Sequence, residues 1–555
     1  MLSFIAMNSL TLVVPVAFAC LLAPLAAQEK VELSVVHRIK SEAFENSKVM
    51  ETLFYLTDVH GPRLTNSPGF RAAADWTVKR LQEYGLANVR QEKWGPFGRG
   101  WSYSKFTAHL LEPQYAPLIG FPLAWTPGTN GLVTGEPIVA IIRTEADFAR
   151  HKGKLKGKIV LMDAPRATPM QTNAPGRRFT EAELTAQAAA PEPGEQRMII
   201  GPYLPPGGPS AFGGPSPGGP SQFGSPEQAP RNREAMRQFA NKRNQFLVEE
   251  GVLAVLSAGY RGDGGTVFAS SGGSREVKDY IPPPMAAITP EHYNRIARLL
   301  EKKIPVKLEM DIQTRFHDEN LDSFNILAEI PGNRKKDELV MIGAHFDSWH
   351  GGTGATDNAT GSAVMMEAMR ILQTLNMKMD RTVRLGLWGG EEQGLLGSRA
   401  YVKEHFADPE TMVLGAEHSK LAAYFNHDNG TGKIRGVYLQ SNDMVRPVFD
   451  AWLAPFRDMG ATTLSIRNTG GTDHLSYDAV GLPGFQFVQD PAEYSSRTHH
   501  SNMDTYDHVQ PGDVMQGSAV IASFVYHAAT REEMLPRKPL PKPRPRTERR
   551  SEEKK

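Results

Sequence analysis

The stretch Glu338-Leu339-Val340-Met341-Ile342-Gly343-Ala344-His345-Phe346-Asp347 decides the fold. An unbroken apolar run of this length reads as a strand buried on both faces, which is how strands look inside a parallel sheet. The run ends on His345-x-Asp347. In extended chain residues i and i+2 point to the same side, so an imidazole and a carboxylate face together at the strand's end. A metal-bound histidine typically gives its second ring N–H to such a carboxylate.

The pattern recurs on the C-terminal side. Apolar runs at 383–388, 421–425, 437–440 and 484–488 predict further buried strands, and helical periodicity fills 361–375, 394–405, 443–459 and 511–529. The alternation predicts an α/β fold, a mixed but mostly parallel sheet sandwiched by helices. Ligands of open α/β sheets bind outside the carboxyl ends of strands, and there the reactive residues stand. Asp357 lies in the glycine-flanked turn Gly354–Gly361, where one carboxylate can bridge two cations about 3.5–4 Å apart. Gly389-Gly390-Glu391-Glu392 follows the run 383–388; neighbouring side chains diverge, so one Glu can ligate while the other accepts a proton. Asn426-His427-Asp428-Asn429-Gly430 follows 421–425, and Thr498-His499-His500-Ser501-Asn502 follows the last run. Each signal alone fits a turn or a solvated loop as well. Their recurrence after successive strands points to a metal centre. With Cys20 the one cysteine of 555 residues, a disulfide framework and any Cys-ligated site are excluded, leaving His and carboxylates as ligands.

Further outward, 47–90 reads as helical, and these residues with their flanks (28–111) are assigned to the same unit as 316–532. From 112 to 315 short β-rich runs predict a separate domain. It is interrupted at 201–230, where eight Gly and nine Pro predict a disordered loop. Residues 1–27 carry no charge, and Leu10–Ala27 is an apolar run ending in small residues, which predicts a signal peptide and a secreted or periplasmic protein with no membrane span after cleavage. Residues 533–555 predict a basic, Pro-rich, solvated tail. With 62 Lys+Arg against 61 Asp+Glu, no basic field exists to hold nucleic acid.

Ala344–Asp347, Ala355–Asn358, Glu391–Ser398, Asn426–Gly430 and His500–Thr505 together resemble the cocatalytic dinuclear-zinc exopeptidase family, which includes bacterial aminopeptidases, glutamate carboxypeptidase and carboxypeptidase Q. His60–Leu64 and Gly85 resemble its N-terminal part, and the region around Gly157–Met162 resembles the protease-associated domain inserted in some members. The resemblance implies two Zn2+ ions, with Asp357 bridging and His345, Asp428, Glu392 and His500 completing the ligands. It implies Glu391 as general base and Asp347 as orienter of His345. His499 and His500 leave open which imidazole is the ligand; the spacing to Asp504-Thr505 favours His500. Tyr494 is a candidate hydrogen-bond donor to the reacting carbonyl. Asp473 and His474 are candidate pocket residues, with a helix N-cap as the other use of Asp473.

The expected activity is hydrolysis of terminal peptide bonds of short peptides. The alternatives are a glutaminyl-cyclase-like enzyme with one zinc, a non-catalytic peptide-binding relative, and a deacylase with a dimerisation domain. The position of the middle domain before His345 speaks against the last. The sequence leaves open which peptide terminus is recognised, and it leaves room for a homodimer.

Overall fold

The structure is a computed structural model and describes residues 29–193 and 229–543. The predicted signal segment 1–27 lies outside them. So does the predicted loop 201–230, apart from its last two residues, which open the helix Ala229–Glu249.

Two eight-stranded sheets organise the chain. The first runs, edge to edge, Ala87–Trp94, Ser323–Ile330, Arg381–Trp388, Lys335–His345, Leu421–Asn426, Gly484–Gln489, Ile434–Tyr438 and Thr463–Ser465. Its four central strands are parallel, and antiparallel strands flank them. Register explains the site: His345 pairs with Trp388, Gly343 with Asn426, and Asn426 with Gln486, so the central strands end on one line. The loops that follow open along a single edge.

Alternation along Lys335–His345 serves two cores. Val340, Ile342 and Ala344 pack into the large cluster with the helices Leu33–Glu45, Thr360–Thr374 and Pro511–Thr530. Leu339 and Met341 face Trp388, Tyr401 and Tyr477 on the other side. Residues 360–372 are buried throughout, as expected of a helix held between a sheet and other helices.

The second sheet runs Ala116–Pro117, Gly100–Glu112, Lys307–His317, Val133–Val139, Lys158–Leu161, Ala254–Ser257, Met285–Ile288 and Gly120–Pro122, with its own cores. The predicted boundary at 112 cuts this sheet: Gly100–Glu112 pairs with Lys307–His317 along its length, so residues from 100 to 317 belong to it. Between the units Phe97, Trp101 and Trp125 form an aromatic joint with Trp94 and Trp349. The expected solvated tail from 533 also differs. Arg537 donates to the carbonyls of His418, Ser419 and Leu421, and Lys538 pairs with Asp478, tying residues up to 538 to the first unit.

Candidate active site

His345 closes its strand, and its Nε2 stands 3.1 Å from Asp357 Oδ1 and 3.3 Å from Asp428 Oδ1. All three side chains are buried, and their donor atoms lie within 4.8 Å of one another. On the other side of Asp357, His500 Nε2 is 3.2 Å from Oδ2 and 2.9 Å from Glu392 Oε2. One carboxylate therefore stands between two donor groups. His499 stacks on His500 at 3.8 Å, and its Nε2 is 3.6 Å from Asp357 Oδ2. Of the two imidazoles, His500 alone meets both carboxylates.

Asp357 is held by its neighbours. Asn358 donates to the His427 carbonyl and accepts from Gly361 N, which fastens the turn to the strand end carrying Asp428. Thr356 N donates to Asp504 and its hydroxyl to Thr498. Asp347 does more than the i, i+2 argument expects. The His345 Nδ1 bond goes to the Asp347 backbone carbonyl at 3.0 Å, and the carboxylate stands 3.7 Å off. That carboxylate accepts from the N–H of Glu391 and of Glu392 and from the Thr65 hydroxyl, so it fixes the Glu391-Glu392 turn.

Buried charge sets the electrostatics. Burial disfavours a charged His345, yet the carboxylates of Asp428 and Glu391 hold its proton affinity well above the usual histidine range. Burial opposes charge on Asp357 too, but His345 and His500 bring it well below the usual carboxylate value. Burial raises Glu391 well above its ordinary value, with Asp428, Asp473 and Glu392 adding to it against the opposing pull of His345. Burial pushes Glu392 up to about 7, although His500 opposes it.

The donor set fits a metal pair. Asp357 Oδ2, Glu392 Oε1 and Asp428 Oδ1 are enclosed without a hydrogen-bond partner. Buried carboxylate oxygens left this way are costly unless a cation satisfies them. Imidazole nitrogen and carboxylate oxygen suit zinc.

The remaining candidates divide. The Tyr494 phenol is buried beside this cluster, where burial and the charge of Asp357 hold its proton firmly; its ring lies 4.7 Å from His499. Asp473 is fully buried with neither oxygen hydrogen-bonded, and burial pushes it up to about 7. His474 turns to the Thr469 carbonyl, 3.1 Å away, and burial pushes it down to about 4. Sequence reasoning missed the scaffold: Arg63, whose guanidinium donates to the carbonyls of Leu56, Phe346, Thr353 and Gly354, and Asp504, which caps the Asp357 turn. A charged residue beside the turn His60-Gly61-Pro62 was the available signal for Arg63.

The model of Peptidase family M28 matches residues 325–525. Carboxypeptidase Q of Bos taurus is 30% identical over 518 residues, covering 92% of this chain and 90% of that protein. The fold is shared with a peptidase M28 precursor from Shewanella amazonensis SB2B, at 24% identity and TM-score 0.61 over 92% of this chain and 98% of that one. It is also shared with BSAP, a zinc aminopeptidase from Bacillus subtilis, at 17% identity and TM-score 0.51 over 87% and 95%. With its metal-donor cluster at the expected strand ends, this chain belongs to peptidase family M28 and is a metallopeptidase.

Proposed function

We propose that the protein is an exported two-zinc exopeptidase that removes terminal residues from short peptides. The observation that carries this reading is the single carboxylate of Asp357 between two donor groups, His345 with Asp428 and His500 with Glu392. A shared donor supports two ions over the single-zinc cyclase alternative. When bound, zinc would supply Lewis-acid chemistry: it lowers the pKa of a bound water toward about 7 and polarises a carbonyl.

The chain's own residues do the rest. Glu391 follows the strand that ends beside His345, and its backbone is pinned by Asp347. Its raised proton affinity suits a general base: it takes a proton from the attacking water and returns it to the departing amine nitrogen. Tyr494 is suited to donate to the developing oxyanion, since its phenol keeps its proton. Burial of the cluster excludes competing water. Export is supported by the apolar run Leu10–Ala27, and among the described residues no helix is long and apolar enough to cross a membrane.

The test combines metal analysis with one substitution. About two zinc per chain are expected. Glu391→Gln is expected to lower kcat about 10²–10⁴-fold with the zinc content unchanged. One zinc or none, or a Glu391→Gln enzyme at wild-type speed, would remove the reading.

A further inference from the structure

After the strand Lys158–Leu161 the chain leaves the second unit and lies along the first. Its helix Glu181–Ala188 packs on the edge strand Thr463–Ser465, where the Gln187 carbonyl accepts from the Ser465 hydroxyl at 2.8 Å. Ahead of that helix, residues 175–179 fasten to one loop of the first unit, which joins the strand Gly484–Gln489 to the helix Pro511–Thr530. The Pro175 carbonyl accepts from Ser496 Oγ at 2.6 Å, Arg177 N donates to the Ala492 carbonyl at 3.0 Å, and Phe179 N donates to Asp490 Oδ1 at 2.9 Å. These bonds run along the stretch that carries Tyr494 and leads into His500.

Arg178 joins the two ends of that loop. Its Nη1 stands 2.9 Å from Asp490 Oδ2 and 2.7 Å from Asp513 Oδ2, and its Nη2 is 3.2 Å from Asp513 Oδ1. Asp490 is the first residue after the strand, and Asp513 lies in the first turn of the helix. Both carboxylates are buried. Two such charges side by side repel unless a cation stands between them, and the planar fork of a guanidinium can serve both at once. The loop closed in this way brings His500 to Asp357 and Glu392 and sets Asp504 against Thr356 N. His345 and Asp428 follow other strands, and among the described residues no bond from residues 175–179 reaches them.

The fold does not hang on this arginine alone. Its side chain is half exposed, and Arg435 also pairs with Asp490, at 3.0 Å. The Lys433 backbone joins the same two ends: its carbonyl accepts from Asp490 N at 2.9 Å, and its N–H donates to Asp513 Oδ2 at 3.2 Å.

We propose that Arg178 is a positioning residue acting through the loop 490–513. The arm of the second unit holds His500 against Glu392, and so sets the affinity of one half of the metal cluster while leaving the other half alone. This rests on the two-metal reading above.

The zinc-loaded enzyme is titrated with a chelator, and the release of each zinc is followed. His500→Gln marks which ion belongs to the half formed by His500 and Glu392. In Arg178→Met that ion is expected to be held about 10-fold more weakly and the other as in wild type, the low end of what losing a partner behind a metal ligand costs. The value of kcat is expected to fall by a similar factor while KM holds. Arg178→Lys is expected to restore part of both, since an ammonium keeps the charge without the fork. Ser496→Ala frees the loop from the Pro175 carbonyl at an exposed position, and it carries the same comparison if Arg178→Met does not fold. Unchanged release of both ions overturns the proposal. Equal weakening of both, or weakening of the other ion alone, also overturns it and marks an arginine that serves only the fold. A wild-type enzyme holding one zinc or none is a separate failure, seen before any variant is made: it removes the two-metal reading, and this proposal with it.

Discussion

Arg63 shows how the site is held at the level of one side chain. It is fully buried, and burial lowers it only to about 10, so it stays charged at neutral pH. Its guanidinium donates at 2.8 Å to the carbonyls of Phe346, Leu56 and Gly354 and at 3.1 Å to Thr353, stitching the segment after His345 to the turn before Asp357. Arg63→Met keeps the bulk and strands these acceptors without water. The expected loss is about 3–5 kcal/mol in urea denaturation, with weakened zinc affinity by competition against a chelator. Arg63→Lys should fall between, since one ammonium cannot serve four acceptors in a plane. Stability unchanged by Arg63→Met would mean that the carbonyls find other donors. His345, Asp357, Glu392, Asp428 and His500 were legible because each follows a strand or opens a helix. Arg63 was not, because its partners come from three separate places in the chain and the need for it arises only when they meet.

At the level of the element, the strand Lys335–His345 positions both the cluster and the packing behind it. Gly343 lets it lie close to its neighbours: a Cβ there would meet the Gly386 carbonyl and the Tyr424 hydroxyl at 2.6 Å and Trp388 Nε1 at 2.7 Å. The Trp388 indole donates to Tyr424, which donates to Asn426, two residues before Asp428. Gly343→Ala is expected to lose about 1–3 kcal/mol by overpacking and to weaken zinc binding, read from the denaturation midpoint and a zinc titration. A variant as stable as wild type would show that the strands can part without penalty. The strand itself was easy to read. The neighbouring Ser323–Ile330 was not, since Asn325 and Glu329 break its apolar pattern. Both are buried because tertiary partners satisfy them: Asn325 bonds with Gly389 and Gly397, and Glu329 with Arg384 and Asn88. The single helix expected over 443–459 is three short pieces, Asp443–Val445, Arg446–Leu453 and Ala454–Met459. Pro455 near the start of the last piece brings no N–H to continue the ladder, a break that the apolar periodicity of 443–459 masks in the sequence.

Across the whole molecule, the seam between the two units is where the sequence was least informative, because its residues come from distant stretches, among them 94–126, 316, 349–350 and 396, and meet only in the fold. His350 stands in that seam, its ring 4.9 Å from Trp101, 5.6 Å from Phe121 and 6.4 Å from Trp349, whose own ring is 6.1 Å from His500. Its Nε2–H donates to the Pro122 carbonyl at 2.7 Å, while Nδ1 has no partner, so a second proton there would be buried without an acceptor. Burial accordingly pushes His350 down to about 4. Its value in the unfolded chain is about 6.5. Between these values the unfolded chain binds a proton that the folded one refuses. The stability contributed is therefore present above about pH 6.5 and lost as pH falls toward 4, by up to about 3 kcal/mol. His350→Gln keeps a donor for Pro122 and removes the titration. It is expected to start less stable at pH 7 because the aromatic packing is poorer, yet to lose less between pH 7 and pH 4.5. Urea midpoints at the two pH values give the comparison: a smaller fall in the variant ties the acid sensitivity of the seam to this ring, and equal falls assign it to other groups.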